Sequence, residues 1–215
     1  MEIYGLQKVT LLDYPGHVAC TVFLGGCNFD CPYCHNKGIA KRLTKPVMSD
    51  NAFLDWLESR KGKLDGVCIS GGEPTVNEGL GVFIDSIKSR GFLVKLDTNG
   101  YEPDVLRHLR PDYIAMDIKN SPGKYCVTTG RKVVDLARIQ ESVNLIMSSG
   151  IDYEFRTTVT ASLHKEEDFE SIGELINGAR AYYLQRCTGD SPDQGRLRRY
   201  LDVCRHYVPN TRLRG

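Results

Sequence analysis

The chain has 215 residues, with 28 Lys plus Arg against 27 Asp plus Glu and a net charge of +1. A balance that close gives no electrostatic reason to expect a nucleic-acid or membrane-surface protein, and no apolar run approaches the ~20 residues that span a bilayer. With 41% hydrophobic residues and no low-complexity tract, the composition is that of a globular protein, and one domain over 1–215 is expected.

The opening residues M-E-I-Y-G-L-Q-K-V-T lack the basic start, apolar centre and small-residue cleavage site of a signal peptide. A soluble, cytoplasmic protein is therefore expected. In a reducing compartment its 8 cysteines read as metal ligands or buried apolar thiols rather than as disulfides.

Short β-rich runs alternate with helical patterns along the chain. Strands are expected at 17–24, 66–70, 93–98, 113–119, 153–159 and 182–185. Helices are expected at 49–58, 80–89, 103–109, 134–149 and 166–179. Phe53, Trp56 and Leu57 give the first helix its apolar face, and Val82, Phe83 and Ile87 serve the second. Gly62, Gly91, Gly150 and Gly178 stand where helices should stop. Strand followed by helix, repeated, implies parallel strands with right-handed crossovers. A doubly wound open sheet and a partial (β/α) barrel both satisfy that order.

The strand faces choose between them, because alternate residues of a strand share a face. Val67 and Ile69, Val94 and Leu96, Ile114, Met116 and Ile118, Tyr153 and Phe155, and Tyr182 and Leu184 suit a face packed on helices. The opposite face carries Ser70, Lys95, Asp97, Asp117, Lys119, Glu154, Arg156, Thr158, Tyr183 and Gln185, mostly towards the C-terminal strand ends. Parallel sheets covered on both faces read as near-continuous apolar runs. A polar inner face is costly unless it lines a solvated cavity or binds something charged. The expectation is an α/β fold, a partial (β/α)6 barrel of parallel strands with its core at about 17–186 and a polar mouth at the C-terminal strand ends. The basic stretch from Arg196 to Arg214 belongs to an extension at about 190–215 and reads as a solvated helix face.

The densest chemistry lies at 27–36, C-N-F-D-C-P-Y-C-H-N, directly after the first strand and Gly25-Gly26. Cys31 to Cys34 alone fits a C-x-x-C redox pair, and Cys31 to His35 fits the C-x-x-C-H of haem attachment. Neither accounts for Cys27. A zinc site on Cys27, Cys31, Cys34 and His35 would place two adjacent residues on one tetrahedron, which is awkward. Three thiolates on a four-iron cluster leave one iron without a protein ligand, whereas fully ligated electron-transfer clusters use four. That open iron is a position for a substrate or cofactor.

The same run, with Tyr33 as the aromatic residue before Cys34, resembles the C-x3-C-x-Φ-C signature of the radical S-adenosylmethionine enzymes. Ile69-Ser70-Gly71-Gly72-Glu73-Pro74 is similar to that superfamily's G-G-E-P motif, whose backbone edge and glutamate hold the methionine amino group. Glycines admit close backbone approach, and a carboxylate suits an ammonium. Asp97-Thr98-Asn99-Gly100, Asp117-Ile118-Lys119 and C-P-Y-C-H-N resemble segments of the glycyl-radical-enzyme activases.

The resemblance implies a [4Fe–4S] cluster on Cys27, Cys31 and Cys34. It implies S-adenosylmethionine held by Tyr33, His35, Gly71, Gly72, Glu73, Asp97, Asp117 and Lys119, with Arg156 and Gln185 added from strand position and face alone. A monovalent cation is a further candidate at Asp97, Thr98 and Asp117. For Asp117 and Lys119 the alternative is simple pairing across the barrel interior, since buried charges need partners in any fold.

Leu6-Gln7-Lys8 through Asp13-Tyr14-Pro15-Gly16 resembles the start of a longer-chain class of anaerobic ribonucleotide reductase activating proteins, and the likeness thins after Gly189. It implies reduction by a flavodoxin- or ferredoxin-type donor and cleavage of S-adenosylmethionine to methionine and a 5′-deoxyadenosyl radical. That radical takes a hydrogen atom from a glycine Cα of a partner glycyl radical enzyme, with no side chain serving as acid or base. Three alternatives stay open: activation of another such enzyme, for example pyruvate formate-lyase; a compact radical enzyme of the 7-deazaguanine-synthesis type; and a zinc or electron-transfer module. Cys20 and Cys68 read as core, and Cys126, Cys187 and Cys204 as isolated thiols without an auxiliary cluster. His108, His164 and His206 read as surface or capping residues.

Overall fold

A computed structural model describes residues 1–214; Gly215, the last residue of the expected extension, lies outside the described residues. The fold is α/β with a mostly parallel sheet. The chain forms two compact units, the first from Met1–Asn28, Cys34–Thr98 and Asp104–Ile114, the second from Phe29–Tyr33, Asn99–Pro103 and residues 115 onward.

The first unit holds β1 (Glu2–Thr10), β2 (Ala19–Leu24), α1 (Lys37–Ala40), β3 (Met48–Ser49), α2 (Asp50–Glu58), β4 (Gly66–Gly71), α3 (Leu80–Lys88) and β5 (Leu93–Thr98). Strands β2, β4 and β5 are parallel neighbours, with Thr21 beside Cys68 and Cys68 beside Lys95. β1 lies antiparallel to β2 and to β3. It was not among the expected strands. Its side chains are mostly half-buried or exposed, so residues 2–10 lack the buried alternation that betrays a strand. Ser49 caps α2 by accepting the Ala52 N–H, with Asp50 in the first turn. Phe53, Leu54 and Leu57 of α2 and Leu80, Phe83, Ile84 and Ile87 of α3 are buried with Val67, Ile69, Val94 and Leu96 in one apolar cluster.

The boundary between the units falls within α4 (Pro103–Leu106) and β6 (Tyr113–Asp117). The second unit continues with α5 (Tyr125–Thr129), α6 (Leu136–Ser148), β7 (Asp152–Val159), α7 (Glu166–Leu175), β8 (Tyr182–Arg186), α8 (Gln194–Tyr207) and β9 (Thr211–Arg214). β7, β8 and β9 are parallel, with Thr158 beside Gln185 and Gln185 beside Arg214. The alternation expected of these strands is present except at Glu154, which is fully buried: Asp117, Lys119, Arg156, Thr158, Tyr183 and Gln185 are half-buried, while Met116, Ile118, Phe155, Thr157 and Leu184 between them are buried.

The basic C-terminal segment is built into this unit. α8 buries Leu197, Tyr200, Leu201 and Cys204, and Tyr200 stacks on Phe169 of α7 with ring centroids 4.4 Å apart. Arg198, Arg199 and Arg205 are exposed. Arg196 and Arg214 depart from a solvated face. Arg214 clasps the fully buried Glu154 with two hydrogen bonds of 2.6 and 2.8 Å, and its guanidinium lies 3.7 Å from the Tyr183 ring centre. Among the described residues no helix is long and apolar enough to cross a membrane.

Gly173, in the middle of α7, has a packing reason. A Cβ there would lie 2.3 Å from the Tyr207 ring of α8. Helix propensity alone would make Gly173→Ala stabilising by about 1 kcal/mol, whereas overpacking costs about 1–3 kcal/mol. Packing should win: the variant is expected to unfold at lower denaturant concentration than the parent, by about 1 kcal/mol in a urea titration.

Candidate functional site

In the first unit the cysteine loop leaves β2 through Gly25 and Gly26 and is held backbone to backbone against the end of β4. Gly72 N–H donates to the Leu24 carbonyl (2.9 Å), and Glu73 N–H donates to that of Gly26 (2.8 Å). The Asn36 side-chain amide donates to the Gly71 carbonyl at 3.0 Å. Glycine is required at this crossing. A Cβ on Gly72 would stand 2.0 Å from the Gly26 carbonyl oxygen, and Gly71, at φ +120, would place one 2.4 Å from the Leu24 backbone.

Glu73 is 1% exposed. Its Oε1 accepts from the Thr75 N–H (3.1 Å), the Thr75 hydroxyl (2.6 Å) and the Thr98 hydroxyl (2.7 Å). A buried carboxylate is tolerated when donors surround it, and β5 supplies one of them through Thr98. The neighbouring Asp97 is ion-paired with the buried Lys95. Cys27 and Cys34 are half-buried and His35 is exposed.

The middle of the cysteine loop belongs to the second unit, where Asp30 N–H donates to the Thr129 carbonyl at 2.8 Å. Gly130, at φ +67, lets α5 end against this loop; a Cβ there would lie 2.2 Å from the Asp30 carbonyl oxygen. Cys31 is buried. Asp117 receives Arg156 Nε on one oxygen (2.9 Å) and Lys119 Nζ on the other (3.0 Å). Burial alone would raise the Asp117 carboxyl, but Arg156 and then Lys119 outweigh it and hold its pKa down to about 2. Burial pulls Lys119 the other way, and the Asp117 charge overrides it, so the ammonium titrates well above its ordinary range. The Tyr33 hydroxyl is buried in the same field, its acidity suppressed first by burial and felt also by Lys119, Cys31, Asp117 and Tyr125. It has no hydrogen-bond partner among the described residues. Gln185 is half-buried on β8, beside Thr158.

Two residues here escaped the sequence reading. The fully buried Tyr125 hydroxyl accepts the Lys119 N–H at 3.2 Å. His164, read from sequence as a surface or capping residue, is also fully buried. Its Nδ1 accepts the Thr160 N–H at 3.1 Å, which leaves the ring proton on Nε2 to donate to the Lys119 carbonyl at 3.0 Å. Neither residue sits in a motif; the only signal for His164 was its place just before the acidic first turn of α7. The other thiols keep their expected character. Cys20, Cys68, Cys187 and Cys204 are buried, and burial pushes Cys20 and Cys204 up to about 12.

Residues 21–178 match the family model of the radical SAM superfamily. The chain belongs to that superfamily. Radical SAM enzymes use a [4Fe–4S] cluster and S-adenosylmethionine, and their fold is the partial barrel expected from the strand faces. A Methanocaldococcus jannaschii protein named as a glycyl-radical enzyme activating enzyme is 28% identical across 99% of this chain and 95% of its own. The pyruvate formate-lyase-activating enzyme of Clostridium pasteurianum is 26% identical over 83% of this chain and 77% of that one. A shorter match, 33% identical over 34% of this chain and 49% of its own, is the anaerobic ribonucleoside-triphosphate reductase-activating protein of Escherichia coli. QueE from Escherichia coli has a solved structure of the same fold, with TM-score 0.58 and 19% identity over 99% of this chain and 90% of that one.

The residues present fit both cofactors. One short loop offers three thiols, and a cluster anchored at separate corners does not need them to converge on a point. Among the described residues no three His, Cys, Asp or Glu side chains converge as for a single ion. The orphan Tyr33 hydroxyl and the charged Asp117, Lys119 and Arg156 suit a polar, zwitterionic ligand, since an unsatisfied buried hydroxyl costs about 1–3 kcal/mol.

Burial, the largest influence on His164, lowers its pKa against the opposing Lys119 carbonyl bond and Asp168 charge. The unfolded chain gains a proton there as pH falls through 6.5, and the folded chain does not. Stability supplied by this residue is therefore complete above that value and declines below it. Between about pH 7.5 and about pH 5.5 the unfolding free energy should fall more steeply in the parent than in His164→Gln, measured by denaturant titration.

Proposed function

We propose that this radical SAM enzyme is an activase, generating a glycyl radical on a partner enzyme, and that the partner is the anaerobic ribonucleoside-triphosphate reductase. A relative that matches almost the whole chain carries the activase reading. The choice of reductase is supported by the Escherichia coli stretch and by the opening run through Asp13-Tyr14-Pro15-Gly16. Cys27, Cys31 and Cys34 would hold the cluster, with the methionine end of S-adenosylmethionine bound beside it. In the first unit the Gly71–Gly72 edge and Glu73 receive the methionine ammonium, beside Asp97. In the second, Lys119 and Arg156 would take the carboxylate, Asp117 would take the ribose, and Tyr33 would offer its buried hydroxyl. His35 and Gln185 complete the set at lesser reach.

When bound, the cluster and S-adenosylmethionine would supply one-electron reductive cleavage and abstraction of a hydrogen atom from a glycine Cα. The chain's own groups hold and orient. A carboxyl with a pKa of about 2 and an ammonium locked in its charged form are poor proton carriers at neutral pH. They are well suited to fixing a zwitterion. The electron comes from a flavodoxin- or ferredoxin-type donor.

The test is anaerobic incubation of reconstituted protein with S-adenosylmethionine, reductant and either the reductase or pyruvate formate-lyase, read by electron paramagnetic resonance. A glycyl-radical doublet on the reductase is expected, lost in Cys27→Ala, Cys31→Ala and Cys34→Ala. A doublet only on pyruvate formate-lyase would move the partner assignment. Cleavage of S-adenosylmethionine with no protein radical on either would overturn the activase reading.

A further inference from the structure

Lys119 lies beyond the end of β6, just after the Ile118 N–H that donates to the Arg156 carbonyl at 2.8 Å. Past that bond, side chains hold the Lys119 peptide groups. Tyr125 Oη takes its N–H (3.2 Å) and His164 Nε2 donates to its carbonyl (3.0 Å). Both side chains are fully buried. Thr160 fixes the imidazole, since its N–H and its hydroxyl each lie 3.1 Å from Nδ1.

His164 is itself held by the C-terminal helix. Its carbonyl accepts from Arg196 Nη2 (3.0 Å) and from the Tyr200 hydroxyl (3.2 Å). Arg196 Nη2 reaches the Ala161 carbonyl as well, at 3.4 Å. α8 therefore fixes the 161–164 segment, the segment fixes the imidazole, and the imidazole fixes the backbone of Lys119, whose ammonium pairs with Asp117.

We propose that His164 is a positioning residue for Lys119, and that α8 holds it in place through Arg196 and Tyr200. Lys119 thereby presents its ammonium to the S-adenosylmethionine carboxylate in a fixed direction. This rests on the reading of Lys119 as a ligand-binding residue and gives the C-terminal segment a part in the site. A buried carbonyl needs a donor in any fold, so loss of stability alone would not distinguish positioning from packing. Coupling to Lys119 does distinguish them.

The experiment measures S-adenosylmethionine affinity of anaerobically reconstituted protein by equilibrium dialysis, with iron content and melting temperature recorded for each variant. His164→Leu is expected to weaken binding about tenfold, the loss of one well-placed hydrogen bond behind a charged contact. His164→Gln, which keeps a donor towards the Lys119 carbonyl, should recover most of that. In a Lys119→Met background, itself weaker, His164→Leu should change affinity by less than about twofold. If His164→Leu fails to fold or to retain iron, Arg196→Met replaces it, with a loss of about threefold expected and the same collapse in the Lys119→Met background. Unchanged affinity in these variants, or an equal loss with and without Lys119, overturns the proposal. Full affinity in Lys119→Met alone overturns the binding role of Lys119 as well. Neither result bears on which partner enzyme receives the radical.

Discussion

The carboxylate of Asp117 receives Arg156 on one oxygen and Lys119 on the other, and the second unit is arranged to make that possible. Three charges are taken mostly out of water there, with side-chain exposures of 23, 11 and 16%. Stripping one partner from such a group typically costs about 3–5 kcal/mol, so they stand or fall together. Their spacing follows from the strands. Residues 117 and 119 share a face at the end of β6, and Arg156 stands on β7, whose backbone already takes the Ile118 N–H. The fold thus spends a buried ion cluster at the C-terminal strand ends, and the cluster's directed charges, with the unmatched Tyr33 hydroxyl, are what a zwitterion can use.

The first unit solves a different problem, bringing backbone close to backbone. Gly71 and Gly72 are dictated by contacts of 2.4 and 2.0 Å that any Cβ would make with the chain at 24–26. The gain is a rigid edge at which Glu73 is aimed by two threonines, Thr75 and Thr98, on different elements. The cysteine loop is tied to this edge through Gly26 and Asn36. Rigid support of this kind holds reactive groups to small tolerances.

Much of this was legible in the sequence for physical reasons. Period-two alternation marked the polar face that carries Asp97, Asp117, Arg156 and Gln185, because a strand cannot place neighbours on the same face. Cysteine spacing marked the loop, and glycine pairs marked the close approach. What stayed hidden depends on distant pairing. The Glu154–Arg214 clasp joins residues 60 positions apart, so Arg214 read as part of a solvated tail. His164 and Tyr125 act through hydrogen bonds to the main chain of Lys119, and a backbone partner leaves no trace in residue type. β1 was missed because its exposed side chains do not alternate in burial.

The central claim is that three thiols from one loop hold a four-iron cluster whose remaining iron takes the small molecule. Mössbauer spectroscopy of protein reconstituted with iron-57 tests it most directly. Addition of S-adenosylmethionine should change the isomer shift of one iron in the cluster and leave the other three as they were. Four irons that remain equivalent, with no response to S-adenosylmethionine, would contradict the account.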